Sequence, residues 1–175
     1  MMQPFRRLPL LLMIVCLMLH GACVRAADED RETAKPAPPL PADKNLWLNT
    51  SPYTWEQLRG KGVVLLFFSC DTEGTEVFPK YLESAKLHAL DPVVYVGISM
   101  GTDRFNTEQF LKSTKYTWPT LCDPTYTYTR QCDTCVGSKP GDSIAESVGY
   151  SLYVTADGKM VEGWWDDPRH KETWA

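Results

Sequence analysis

The hydrophobic pattern of the chain is strongest at residues 63–68, where six apolar residues follow one another. Gly60 and Gly62 precede this run and polar residues follow it. A short β-branched and aromatic run without polar alternation indicates a strand that is buried on both faces. Helical spacing follows at residues 76–90. The loop between them, residues 69–75, is therefore predicted at the carboxyl edge of a sheet, where open α/β sheets usually carry their chemistry.

The same alternation of elements continues along the chain. Residues 92–100 contain a second apolar run that predicts a buried strand, and residues 108–114 predict a second helix. Strand, helix, strand, helix predicts a parallel strand pair with a right-handed crossover. Residues 150–155 and 160–165 are rich in β-forming residues, and the Asp157-Gly158 pair between them is typical of a hairpin turn.

Three further segments have weaker patterns. Thr54 and Gln57 have the spacing of a capping box, which predicts a helical turn from Trp55 to Leu58. Residues 125–131 predict only a brief helix, because three threonines and two tyrosines lower its propensity. Residues 132–146 contain Gly, Ser, Lys and Pro and predict a loop.

Residues 1–26 have the pattern of a secretory signal peptide, with Arg6 and Arg7 before an apolar stretch and small residues near Ala26. The stretch is shorter than the roughly 20 residues of a membrane-spanning helix, so cleavage is favoured over a retained anchor. Export to the periplasm or the exterior is predicted, and no stable membrane span after cleavage. Lipoprotein processing at Cys23 is the alternative, which His20 disfavours.

The segment that follows, residues 27–45, is charged and then rich in proline. Its composition predicts an extended polyproline tether that buries no core of its own. The folded domain is accordingly predicted to occupy residues 46–175.

The charge balance narrows the classes of partner. Removal of the signal peptide leaves 15 basic and 22 acidic residues, a net charge of −7. Nucleic acids and anionic membranes are bound by basic patches, so an acidic surface argues against both.

The order of these elements resembles the thioredoxin-like superfamily. The chain is most similar to extracytoplasmic redoxins, namely TlpA/ResA-type thiol-disulfide proteins and peroxiredoxins related to alkyl hydroperoxide reductase. The segments that carry the resemblance are residues 55–61 before the first buried strand, residues 105–111 leading to Trp118-Pro119-Thr120 and Cys122-Asp123-Pro124, and residues 154–161. The resemblance implies an α/β fold in which helices flank a central mixed sheet that ends in a C-terminal antiparallel hairpin.

The chain departs from these families at the residues that carry their activity. Thr72 and Thr75 stand near the positions of the Cys-x-x-Cys motif of TlpA-type proteins. The run from Asp71 to Thr75 is similar to the peroxiredoxin motif, with Thr75 in place of its reactive cysteine. No proline precedes Tyr150, where thioredoxin-like proteins place a cis-proline. A threonine hydroxyl cannot supply the thiolate, so Asp71, Thr72 and Thr75 are retained only as candidate binding residues of the edge loop.

Four cysteines follow the signal peptide: Cys70, Cys122, Cys132 and Cys135. Cys70 follows the central strand, where a lone redox thiol competes with a structural role. The structural role is favoured, because the acidic neighbours Asp71 and Glu73 oppose a thiolate. For Cys132 and Cys135 three hypotheses stay open: a disulfide clamp on the following loop, a displaced redox pair, or half of a zinc site with Cys70 and Cys122. The compartment argument favours the clamp, since an exported protein meets oxidising conditions.

Two functions are consistent with these sequence features. The first is an exported thiol-disulfide oxidoreductase or antioxidant-type redoxin, with Cys132 and Cys135 as its candidate catalytic pair and Cys70 as a further catalytic candidate. It would act on protein thiols or disulfides, or on a small-molecule oxidant, and it needs no cofactor or metal. The second is a catalytically inactive thioredoxin-like module for binding or scaffolding, whose disulfides are structural.

Overall fold

The computed structural model of the protein describes residues 34–70, 93–138, 143–146 and 149–162. The predicted helix at residues 76–90 and the predicted signal peptide lie outside these residues. Every helix in the described part of the chain falls short of the length and apolar character that a membrane-spanning segment requires.

The described residues form an α/β fold around a six-stranded mixed sheet with the strand order β1-β4-β3-β2-β5-β6. The strands are β1 (Trp47–Leu48), β2 (Gly62–Phe68), β3 (Val93–Met100), β4 (Thr120–Asp123), β5 (Gly149–Val154) and β6 (Met160–Glu162). Strand β2 pairs in parallel with β3, and β3 in parallel with β4. Strand β5 pairs antiparallel with both β2 and β6. The predicted parallel pair and C-terminal hairpin are therefore confirmed.

Strand β2 is the centre of this sheet, and all of its residues are buried. Its alternate side chains enter two separate cores, as the period of two in a strand requires. Phe67 packs in a core with Ile98 and Leu121, and Phe68 packs on the other face with Phe110. The Phe68 and Phe110 rings are stacked with centroids 5.6 Å apart. An uninterrupted apolar strand therefore reflects burial on both faces.

Three α-helices lie within the described residues: α1 (Trp55–Leu58), α2 (Arg104–Thr114) and α3 (Thr127–Val136). The capping box predicted before α1 is present, with Thr54 and Gln57 exchanging hydrogen bonds. Helix α2 begins before its predicted start at Glu108, because the Asp103 carboxylate accepts the Asn106 backbone N–H at 2.8 Å and caps an earlier turn.

Helix α3 corrects the prediction for residues 125–136. The predicted loop from Cys132 is wrong at its start, since the helix continues through Val136 and ends at Gly137 with φ 75°. Asp123 accepts hydrogen bonds from the backbone N–H groups of Tyr128 and Thr129 at 3.3 and 2.8 Å. These tertiary contacts stabilise a helix that its own threonines and tyrosines make weak.

The proline-rich segment packs against the domain from Ala34 onward. The indole N–H of Trp55 donates to the Pro38 carbonyl at 2.7 Å, and that of Trp47 to the Pro41 carbonyl at 2.8 Å. Met160 N–H donates to the Lys35 carbonyl at 2.8 Å, so the segment also lies along β6. This arrangement differs from the extended tether expected from composition. Proline-rich backbone donates few hydrogen bonds, but its carbonyls accept those of the buried Trp47 and the partly buried Trp55.

Candidate functional site

Cys70 lies just beyond β2, at the carboxyl edge where the sequence predicted the site. Strand β2 ends at Phe68, so Cys70 is outside the hydrogen-bonded ladder. Its side chain is half-buried and packs against the core that contains Phe68 and Cys122. The Cys70 side chain therefore lies at the sheet edge, in contact with the core but not fully buried in it.

Two hydroxyls meet the sulfur of Cys70. The Sγ atom lies 3.2 Å from Ser99 Oγ and 3.9 Å from Thr107 Oγ1. Ser99 is in β3, beside Phe68 in the parallel register, and Thr107 is in the first turn of α2. Both hydroxyl residues are fully buried. Strand β3 and helix α2 together form the polar lining of the thiol.

The direction of these hydrogen bonds follows from the Asp103 backbone carbonyl, which accepts the last of them. Thr107 Oγ1 donates to the Asp103 carbonyl at 2.8 Å, and a carbonyl can only accept. Ser99 Oγ is 2.8 Å from Thr107 Oγ1 and therefore donates to it. The Ser99 oxygen is left to accept from the Cys70 thiol. A protonated Cys70 thus donates the first of a series of hydrogen bonds that runs through Ser99 and Thr107 to the Asp103 carbonyl. If the thiol ionises, the Ser99 hydroxyl can rotate and donate to the sulfur.

Cys122 belongs to the same cluster, which the sequence did not indicate. It is in β4, opposite Ser99 in the parallel register, and is 1% exposed. Burial raises the pKa of the Cys122 thiol, while the Thr107 side chain and the charge of Arg104 act in the opposite direction. We call Cys70, Ser99, Thr107 and Cys122 the edge cluster.

Cys132 and Cys135 lie on α3, away from the edge cluster and on the other side of the sheet. Cys132 is fully buried in the core with Phe67 and Ile98. Burial raises the pKa of its thiol well above the ordinary range, and the neighbouring Tyr128 hydroxyl only partly offsets this. Cys135 is half-buried, and its thiol is 3.6 Å from the Pro36 carbonyl.

Asp133, one of the two residues between these cysteines, makes a link of the kind that the clamp hypothesis expected of a disulfide. The Asp133 carboxylate accepts from the Ser143 hydroxyl and from the Ile144 backbone N–H, both at 2.8 Å. These bonds fasten the end of the following loop to α3. Cys70, Cys122, Cys132 and Cys135 are all present as thiols and not as disulfides in this structure.

Two other features considered from the sequence are the edge-loop residues and a metal site. Asp71, Thr72 and Thr75 of the edge loop lie outside the described residues. Among the residues that are described, no group of three or more His, Cys, Asp or Glu side chains is arranged to hold a metal ion. Cys70 and Cys122 lie across the sheet from Cys132, so a zinc site made by all four cysteines is not formed here.

Sequence reasoning placed Cys70 at the carboxyl edge of the sheet but did not indicate its surroundings. Ser99 and Thr107 are a single serine in an apolar strand and a single threonine in a helix, and neither has a local signal. Only the register of β2, β3 and β4 could have indicated that Ser99 and Cys122 share a face with Phe68.

Comparison with known proteins agrees with this architecture. No protein-family profile matches the sequence, and no curated protein matches it. A thioredoxin-family thiol:disulfide interchange protein from Chlorobium tepidum is similar in structure, with 21% identity, a TM-score of 0.55, and coverage of 74% of this chain and 85% of that one.

Two further solved structures are similar. The thioredoxin domain of a thiol-disulfide oxidoreductase from Bacteroides vulgatus has 13% identity and a TM-score of 0.56, covering 81% of this chain and 99% of that one. A secreted disulfide oxidoreductase from Mycobacterium tuberculosis has 16% identity and a TM-score of 0.50, covering 82% and 98%. With the strand order and the terminal hairpin described above, these similarities show that the chain has the thioredoxin-like fold.

Proposed function

We propose that the protein is an exported thiol-disulfide oxidoreductase whose reacting thiol is Cys70. The observation that carries the proposal is the position of this sulfur, at the carboxyl edge of the central strand and 3.2 Å from the Ser99 hydroxyl. In the first step, the Cys70 thiolate attacks one sulfur of a substrate disulfide. The S–S bond breaks, a mixed disulfide forms on Cys70, and the other substrate sulfur leaves as a thiolate.

The surroundings of Cys70 support a reactive thiolate. Rotation of the Ser99 hydroxyl would supply a hydrogen-bond donor to an anionic sulfur. Thr107 brings the amino-terminal turn of α2 to the same place, and the partial positive charge of a helix N-terminus stabilises negative charge nearby. The half-buried side chain leaves part of the cysteine open to solvent.

The pair on α3 is less well suited to the first attack. Cys132 is fully buried, and burial disfavours its thiolate. Both cysteines occupy the carboxyl-terminal half of α3, where the helix dipole opposes a negative charge. They therefore remain the second choice for the catalytic pair.

The substrate class and the location rest on the sequence and on the named structures. The signal-peptide pattern of residues 1–26 supports export, and one of the similar structures is a secreted enzyme. The similar structures are named for thiol-disulfide chemistry, which supports protein thiols and disulfides as substrates. The net negative charge of the chain disfavours nucleic acid as a partner.

Reduction of insulin disulfides by the purified protein tests the proposal, with dithiothreitol as the electron donor. We expect Cys70→Ser to lower turnover roughly a hundredfold or more, because loss of a nucleophile removes the covalent step. Cys135→Ser, a half-buried cysteine remote from the edge cluster, is the matched control and should keep its activity.

Either of two results would reject this assignment. Turnover that survives Cys70→Ser and is lost in Cys135→Ser would move the centre to α3. A wild-type protein with no turnover would leave the inactive binding module as the better description.

A further inference from the structure

We propose that Cys122 is the resolving thiol of this centre, so that each turnover ends in a Cys70–Cys122 disulfide. The inference rests on the proposed function and adds the second half of the reaction. The sequence suggested Cys132 and Cys135, which are close to each other along the chain, as the catalytic pair. Cys70 and Cys122 are far apart along the chain, and the sheet brings them to one face.

The register of three parallel strands brings the two cysteines to one face. Phe68 of β2 is opposite Ser99 of β3, and Ser99 is opposite Cys122 of β4. Side chains opposite each other in neighbouring strands project from the same face of a sheet. Cys70 contacts Ser99 from beyond the end of β2, so it joins this row on the face covered by α2.

One hydroxyl residue, Thr107, is a neighbour of both thiols. Thr107 Oγ1 is 3.9 Å from Cys70 Sγ, and the same side chain is near enough to the Cys122 thiol to act on its pKa. Both cysteines belong to the small core of Phe68 and Phe110. The two thiols therefore share one neighbour and one apolar environment.

Formation of the bond requires Cys70 to move. A disulfide brings two sulfurs to about 2.05 Å. The Cys70 sulfur instead contacts the Ser99 hydroxyl at 3.2 Å. Cys122 is fixed by the pairing of β4 with β3, whereas the ladder of β2 ends at Phe68. The shift therefore falls to Cys70, which must turn past Ser99 towards β4.

The difference in burial assigns the two roles. Cys122 is 1% exposed, so a protein disulfide cannot reach it from outside, whereas Cys70 is half-buried. Cys122 can react only with a sulfur already inside the cluster, and the mixed disulfide on Cys70 supplies one. In that step Cys122 attacks Cys70 Sγ, and the bond from Cys70 to the substrate breaks.

The second step balances without a further reactant. The substrate leaves as a thiolate and takes up the proton that the Cys122 thiol gives up. The substrate disulfide has gained two electrons, and the two protein thiols have lost them to form the Cys70–Cys122 bond.

Trapping experiments test the role of Cys122, with insulin and glutathione disulfide as probes. In the wild type, oxidation by glutathione disulfide should give one cross-linked peptide joining Cys70 and Cys122, detected by mass spectrometry without reduction. In Cys122→Ala, the mixed disulfide on Cys70 should accumulate, and release of the reduced probe should slow at least tenfold. Cys132→Ala is the matched control: it is also a buried cysteine, on the opposite face of the sheet, and should keep both cross-link and release.

The outcomes separate this inference from the proposed function. If Cys70→Ser abolishes turnover while Cys122→Ala releases the probe at the wild-type rate, the inference is overturned and the function stands. A wild-type cross-link between Cys132 and Cys135 instead would also overturn it. If Cys70→Ser keeps its turnover, the proposed function itself fails. Circular dichroism of each variant shows that its fold is retained, and Cys122→Val is the alternative if Cys122→Ala is unfolded.

Discussion

Asp123 shows how much of this structure depends on one side chain. It ends β4, is 4% exposed, and accepts from two backbone N–H groups at the start of α3. It also accepts from the Thr129 hydroxyl at 2.7 Å. The carboxylate thus supplies the cap that Tyr126, the residue before α3, does not provide from its own side chain. One residue joins the parallel sheet to the helix that carries Cys132 and Cys135.

We expect Asp123→Ala to lower the free energy of unfolding by about 2 kcal/mol, because buried hydrogen-bond donors lose their acceptor. Urea unfolding followed by far-UV circular dichroism measures the change. Glu108→Ala is the control, since it removes an exposed ion pair with Lys112 and should leave the stability nearly unchanged. Equal effects of the two variants would contradict the capping role.

At the scale of elements, the turn after β3 is set by a glycine and a tyrosine. Gly101 has φ +64°, a backbone conformation that residues with a side chain rarely adopt. Its N–H donates to the Asp123 carbonyl at 3.0 Å, so the end of β3 stays beside the end of β4. The Tyr126 ring covers Gly101 so closely that a methyl group there would overlap its hydroxyl. This turn directs the chain from β3 into α2 and so positions Thr107 over the sheet.

Gly101→Ala should therefore destabilise the protein more than Gly137→Ala does. Gly137 has φ +75° with no atom near the added methyl group, so its variant reports the backbone strain alone. We expect the difference to be about 1–3 kcal/mol, the usual cost of overpacking. Thermal and urea unfolding give the values, and adding Tyr126→Phe to Gly101→Ala should recover part of the loss. No recovery would mean that the overlap is not the cause.

For the whole molecule, buried thiols on both faces of the sheet link stability to pH. Burial raises the pKa of Cys122 on one face and of Cys132 on the other. Both thiols therefore stay neutral in the folded protein at a pH where thiols of the unfolded chain, with a pKa of about 8.5, ionise. Above that pH the unfolded state binds fewer protons, so the free energy of unfolding falls as the pH rises. Below it the contribution is fully present.

Between roughly pH 8 and pH 9.5, we expect the free energy of unfolding to fall by about 1 kcal/mol less in Cys132→Ala than in the wild type. The reason is that one ionising thiol is removed from the unfolded chain. Urea unfolding under reducing conditions at each pH measures it, and the comparison uses the pH dependence of each variant and not its absolute stability. Cys135→Ala, on the same helix but half-buried, is the control. If the free energy of unfolding of Cys132→Ala depends on pH as that of the wild type does, the raised pKa of Cys132 is contradicted.

The sequence by itself determined the central strand, the parallel pair, the terminal hairpin and the edge at which Cys70 lies. These features follow from local patterns: an apolar run for a strand buried on both faces, and Asp157-Gly158 for a hairpin turn. The resemblance to thioredoxin-like proteins follows from the same order of elements. It could not indicate a centre, because Thr72 and Thr75 stand where those families have cysteines.

Only the tertiary structure decided what surrounds Cys70 and where the proline-rich segment lies. Ser99 and Thr107 are 29 and 37 residues from Cys70 along the chain, and strand register and the packing of α2 bring them to its sulfur. Lys35 and Pro38 bind to a strand and a tryptophan that their composition could not reveal. Local pattern sets which elements form, because side-chain periodicity is local. Which side chains then share a site depends on contacts between distant segments, and those exist only in the folded chain.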